Sequence, residues 1–123
     1  MASTVEPLFR ADGTVVCPAC AVADRPRTRL RGLLGREALG AGEGLLIRPT
    51  SAIHTFFMRF AIDVVFIDRN GVVRKVVSGL RPWRFAGSRG ARCALELRAG
   101  EAGARGIRPG DELRLSKDGR GLA

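Results

Sequence analysis

The chain has one histidine, three cysteines and two lysines in 123 residues, and no uninterrupted apolar run of membrane length. Each scarcity removes a class of protein. A membrane-spanning helix needs about 18 or more apolar residues, and Arg59 and Asp63 break the best candidate stretch. Three cysteines, an odd number, do not make the disulfide framework of a small secreted domain. The opening "MASTVEPLFRADG" lacks the apolar core of a secretion signal, so the expected compartment is the cytoplasm. Cys17 and Cys20 have the spacing of a zinc knuckle or a redox pair. Structural zinc wants four ligands, and only Cys93 and His54 remain to supply the other two. The strand–helix context of a thioredoxin-like motif is also missing. Neither a metal nor a redox role is therefore assigned to the pair, and no cofactor is expected. The Gly-rich "GAGEGLL" lacks the Walker lysine, and no nucleophile-elbow pattern is present. No residue is assigned as catalytic.

What the chain has is arginine. Two of its 21 basic residues are Lys75 and Lys117, which leaves 19 arginines and a formal net charge of +9. Clustered cations bind nucleic acid by releasing phosphate counterions. These arginines are spread from Arg10 to Arg120, so nucleic-acid binding is an alternative and not the leading expectation. Hydrophobic residues make up 46% of the chain, enough for one folded domain without metal or disulfide staples.

The order of elements follows from periodicity and turn residues. Residues 1–14 read as an N-terminal tail, closed at most into a weak hairpin at Asp12-Gly13. "VVCPACAVADRP" is extended and ends at Pro26. "TRLRGLLGREAL" puts Leu30, Leu33, Leu34 and Ala38 on one helical face, with Thr28 as N-cap. A short strand is expected at Leu45 to Arg48. The segment "IHTFFMRFAIDVVFIDRNGVV", residues 53–73, is too long for one strand and is broken near Arg59 to Ala61. Its second half reaches Asn70-Gly71, the strongest short hairpin signal, and returns antiparallel from Val72 to Val77. Asp68 reads as the turn residue before them. "RCALELR" alternates, with Cys93, Leu95 and Leu97 on one face. "AGEAGARG" is a short helix stopped by Gly106, and Leu113 and Leu115 belong to a last strand. The chain therefore reads as one mainly β domain over 15–116, with small helices and antiparallel hairpins. The expected architecture is a compact, barrel-like β-sandwich, followed by a C-terminal tail over 117–123.

"RLRGLLGR", "GEGLLI", "HTFFMRFAIDVVFIDRNGVVRKVV", "LRPWR", "ARCALEL" and "AGEAGARGIRPGD" occur in an order that resembles a family of bacterial and archaeal proteins, domain of unknown function 192. The resemblance runs from Arg27 to Leu115 and implies the same compact, mainly β fold. It departs at Ala61, where relatives often carry proline, and at Thr55-Phe56-Phe57-Met58, where many carry a Met-Trp-Met-type run. It brings no agreed reaction and so no catalytic residue.

Six residues are candidates for a ligand or partner site. His54 is a general base or metal ligand in one reading and a hydrogen-bonded structural residue in the other. Arg59 and Asp63 are charges in an apolar run and must be paired or wet. They form an ion pair that fixes the bend, or Asp63 reaches an arginine of the following loop, or Arg59 grips an anion. Arg81, Trp83 and Arg84 set cations beside the sole tryptophan, a mixture that stacks on bases, sugars or partner surfaces. The alternative is a tryptophan lid with snorkelling arginines. Alternation further places Phe56, Phe60 and Phe66 on one buried face. The leading expectation is a non-enzymatic binding or accessory module for an unidentified small ligand or protein partner. It would use the His54 edge and the Arg81–Arg84 loop. The alternatives are a small enzyme with His54 and Asp63 as acid–base pair, and a weak nucleic-acid binder.

Overall fold

The computed structural model describes residues 4–23, 39–115 and 122. The helix expected around Thr28 to Ala38 lies outside them. Among the described residues, nine strands and one short helix follow in order. They are β1 (Thr4–Arg10), β2 (Val15–Ala23), β3 (Glu43–Ile47), β4 (Ala52–His54) and β5 (Ile62–Asp68). After these come β6 (Val73–Leu80), β7 (Phe85–Gly87), β8 (Ala91–Arg98), α1 (Glu101–Ala104) and β9 (Leu113–Leu115). Seven strands form one mixed sheet in the order β6-β5-β8-β3-β2-β1-β9, and β4 and β7 form a second, two-stranded sheet.

The expected hairpin is present. β5 and β6 pair antiparallel, and the Asp68 carboxylate accepts from the amides of Asn70 and Val72 at 2.9 and 3.0 Å. Gly71 has a second duty. Its φ is +82°, and a Cβ there would stand 2.7 Å from the Leu113 carbonyl oxygen. The Leu113 amide donates to the Gly71 carbonyl at 2.8 Å, and Val72 bridges to Glu112. The two edges of the large sheet thus touch at this turn, although no continuous ladder closes them into a barrel. Only glycine fits so close an approach at positive φ.

The sheet buries both faces. Leu8, Val16, Leu46, Val65, Ile67, Cys93, Leu95, Leu97, Leu113 and Leu115 fill one side together with Ala102, Ile107 and Leu122. On the other side Leu45, Ile47, Ile62, Val64, Phe66 and Ala94 pack with Ile53 of β4, Ala86 of β7 and Met58. The small sheet is therefore a second layer, and the fold is sandwich-like. Because β5, β8 and β3 are central, they are buried almost continuously instead of alternately. Even Glu96 of β8 is only 4% exposed.

Two expectations are corrected. Residues 4–10 are not a tail: from Thr4 they form β1, which pairs with both β2 and β9 and sends Leu8 into the core. The hairpin at Asp12-Gly13 joins β1 to β2, with Arg10 donating to the Thr14 carbonyl at 2.8 Å. Alongside the expected antiparallel hairpins, β2 and β3 run parallel, which makes the large sheet a mixed one. In the C-terminal tail, Leu122 is buried and its carbonyl accepts from Arg48 Nη1 at 2.6 Å. Residues 116–121 and 123 are outside the described set.

Candidate ligand-binding surface

The break expected near Arg59 to Ala61 is present and spans residues 55–61, and one side chain organises its start. Thr55 is fully buried. Its hydroxyl donates to the Arg81 carbonyl at 2.6 Å and accepts from the Arg84 amide at 2.8 Å. Its own amide donates to the Arg84 carbonyl, and its carbonyl accepts from the amides of Trp83 and Met58. One threonine therefore locks the segment after β4 to the loop before β7. The strict alternation of the strand cannot survive this clamp. Phe57 is forced to φ 68° and Trp83 to φ 63°, the left-handed region that bulky L-residues avoid.

Phe56 was expected to lie inside with Phe60 and Phe66. Phe66 is fully buried and Phe60 is half-buried, but Phe56 is 38% exposed, because the turn at Thr55 swings it out of register. Phe57, Trp83 and Phe85 are exposed by 67%, 56% and 69%. These rings touch. His54 stacks on Phe56 with centroids 4.7 Å apart, Phe56 on Trp83 at 5.8 Å, and Phe57 tilts against Trp83 at 4.6 Å. Phe85 lies opposite His54 in the β4–β7 ladder. A soluble surface does not normally leave so many adjoining rings in water without a partner for them. His54 Nδ1 accepts from the Phe56 amide at 3.2 Å, which leaves Nε2–H as the outward donor.

The two segments that carry these rings have charge of one sign. Residues 48–62 and 79–92, which carry the platform, contain six arginines (48, 59, 81, 84, 89 and 92) and no aspartate or glutamate. Arg59, Arg81 and Arg84 are exposed beside the rings, and Arg84 Nη1 donates to the Trp83 carbonyl at 3.4 Å. Five of the six sequence candidates thus come from two adjoining segments. His54, Arg59, Arg81, Trp83 and Arg84 share them with Phe85, which the sequence places in the same loop, and with Phe56 and Phe57, which it does not mark for a site.

Asp63 is the sixth and does not join them. It is fully buried at the start of β5. One oxygen accepts from the Gly79 amide at 2.8 Å, and the other from the amides of Gly100 and Ala102 at 3.0 Å each. The ion pair expected to fix the bend is replaced by three backbone donors. Asp63 caps α1, whose own N-cap, Gly100, has no side chain to do so. An acid–base partnership with His54 has no support in this geometry, because both Asp63 oxygens are taken up inside the fold. Among the described residues no three His, Cys, Asp or Glu side chains converge as metal ligands would. No helix among them is long and apolar enough to cross a membrane.

Thr55→Val tests the clamp. It leaves the part-buried Arg81 carbonyl and Arg84 amide without their hydroxyl partner, a loss of about 1–3 kcal/mol. The expected result is that loss in urea unfolding, with Trp83 emission shifted in the still-folded protein. Unchanged emission would show that Thr55 does not hold the platform.

Fold and surface together define a small, mainly β protein that presents a ring-and-arginine platform on a two-stranded second layer. The model of domain of unknown function 192, described as an uncharacterized ACR, matches residues 8–115, and the chain belongs to that family. No curated protein matches it. Two solved structures share the fold. One, from Sinorhizobium meliloti 1021 and described as a "putative transcription regulator", is 24% identical with a TM-score of 0.81. That match covers 94% of this chain and 96% of the other. The second, a protein of unknown function from Novosphingobium aromaticivorans DSM 12444, is 21% identical with a TM-score of 0.76. It covers 91% of this chain and 84% of the other.

Proposed function

We propose that the protein is a non-enzymatic binding module whose working surface is the platform of His54, Phe56, Phe57, Trp83 and Phe85, flanked by Arg59, Arg81 and Arg84. The observation that carries this reading is the coincidence of exposed, mutually stacked rings with arginines and no carboxylate in the same two segments. Exposed rings gain by covering an apolar or planar group. Arginines gain by pairing with an anion and by lying flat on π faces. The absence of acidic residues from these two segments disfavours a cationic ligand. The ligand is therefore an anion that also offers a planar or apolar face.

Backbone strain supports the same reading. Left-handed φ values at Phe57 and Trp83 cost on the order of 1–3 kcal/mol each. That strain keeps the two rings out in solvent, where they contribute nothing to the core.

The test uses fluorescence anisotropy of two labelled probes, a single-stranded oligonucleotide and an acidic peptide containing aromatic residues. The parent protein should retain at least one of them, with affinity that falls as salt rises. Trp83→Ala should weaken that retention by about 10-fold or more, the usual scale for losing one stacking ring. The pair Arg81→Glu with Arg84→Glu should abolish it, while the unfolding midpoint stays close to the parent's. Retention that survives both sets of changes would place the working surface elsewhere.

A further inference from the structure

Cys17 and Cys20 are three residues apart on β2, a spacing that in a regular strand sends side chains to opposite faces. Here both thiols are fully buried in the same core cluster. The cause is a break in register. Cys20 lies opposite Glu6 and Cys17 opposite Leu8, so three steps of β2 are matched to two steps of β1. The exposed Pro18 and half-buried Ala19 take up the extra residue. Two strand steps span about 6.4–6.8 Å, which is within the Cα separation that a disulfide tolerates.

The surroundings are built for two different sulfurs. The neighbouring Cys20 thiol holds the Cys17 thiol below its ordinary value despite its burial, and the Ala19 amide and the Arg105 guanidinium act in the same direction. Cys20 Sγ itself points its proton at the Ala21 carbonyl at 3.8 Å. The nearness of Cys17, with burial, pushes Cys20 far up. Cys17 also lies close under the surface. Its Sγ donates to the Gly42 carbonyl at 3.5 Å, and Gly42 sits between the Pro18 ring and Arg105 Nη2. Glu101 accepts from the Gly42 amide and pairs with Arg105 at 3.3 Å, closing this cover. Beneath, a Cβ at Gly44 would stand 2.7 Å from Cys17 Sγ, so the thiol occupies the space that a side chain at 44 would need. Cys93 has no such arrangement, and burial pushes its thiol up to about 12.

From this juxtaposition we infer that Cys17 and Cys20 form a two-electron thiol–disulfide couple, with Cys17 as the attacking sulfur, Cys20 as the resolving sulfur and a small hydroperoxide as oxidant. In the first step the Cys17 sulfur attacks one peroxide oxygen. The S–O bond forms, the O–O bond breaks, and the departing oxygen leaves as water with the thiol proton. In the second step the Cys20 sulfur attacks Cys17. The S–S bond forms, the S–O bond breaks, and a second water leaves with the Cys20 proton. Two thiols and one hydrogen peroxide give one disulfide and two waters, and the two electrons pass from sulfur to oxygen. Spacing alone assigned the pair no role, because the register break that brings the thiols together is invisible in it.

The experiment treats the full chain with hydrogen peroxide, unfolds it in N-ethylmaleimide and maps the thiols by peptide mass. The expected product has lost two hydrogens in the peptide holding both Cys17 and Cys20. Cys93 should be alkylated in full, and dithiothreitol should restore all three thiols. Oxidation at Cys17 should run at least about tenfold faster than at Cys93, as thiolate character dictates. In Cys20→Ser the reaction should stop at a sulfenic acid on Cys17 that dimedone captures. Three alkylatable thiols after treatment, or oxidation at Cys93 first, would overturn the proposal. So would a Cys20→Ser protein whose Cys17 takes up no dimedone.

Discussion

Asp63→Ala is expected to destabilise the protein by about 3–6 kcal/mol. The carboxylate is the common acceptor for the amides of Gly79, Gly100 and Ala102, and it ties β6 and the start of α1 to β5. Removing it leaves three donors unpaired in or near the core, at about 1–3 kcal/mol each, with the exposed positions 79 and 100 at the low end because water reaches them. Asp63→Asn keeps the shape but turns an N–H toward an N–H, so it should fall between parent and alanine. Urea unfolding monitored by circular dichroism reads this directly. An Asp63→Ala midpoint within experimental scatter of the parent would mean that the three hydrogen bonds are not formed.

Stability should also depend on pH in a direction opposite to ordinary acid unfolding. Burial pushes the Glu96 carboxyl from an ordinary 4.5 up to about 8. Between those values the folded protein keeps a proton that the unfolded chain has released. The contribution of Glu96 is therefore fully favourable below about 4.5, declines as pH rises, and levels off above about 8. Over the whole window the loss is on the order of 5 kcal/mol. Glu96→Gln cannot titrate, so the difference between the two proteins isolates this residue from every other carboxylate. The glutamine variant should gain on the parent steadily from pH 5 to pH 8 and be the more stable at pH 9. Parallel stability curves would contradict the shift.

Local signals were legible where a turn or a period acts within a few residues. Asn70-Gly71 with Asp68 marked the β5–β6 hairpin, Gly106 marked the end of α1, and Cys93, Leu95 and Leu97 marked a core-facing strand. Signals carried by distant partners were not legible. The acceptors of Asp63 have their donors 16, 37 and 39 residues away, so the sequence offered only a nearby arginine as partner. β4 and β7 are three residues each, too short for alternation to reveal, and their pairing depends on the Thr55 clamp. That clamp also explains why Phe56 lies at the surface: a period of two holds only while the backbone stays extended. The same limit hid the Cys17–Cys20 contact, where a bulge reverses the faces of β2. His54 and Trp83 were legible as candidates because each is the sole residue of its kind, yet Phe56, which joins them, was assigned to the core.

Trp83 is the chain's one tryptophan and stands at the centre of the platform, so its emission reports on that surface alone. The most direct test is to titrate the unmodified protein, at low and at high salt, with a single-stranded oligonucleotide, an acidic aromatic peptide and vesicles of anionic lipid. If the platform is the working surface, at least one of these will quench or blue-shift Trp83 in a saturable way, the response will weaken with salt, and Arg81→Glu with Arg84→Glu will remove it. Emission that stays unchanged through all three titrations would contradict the assignment.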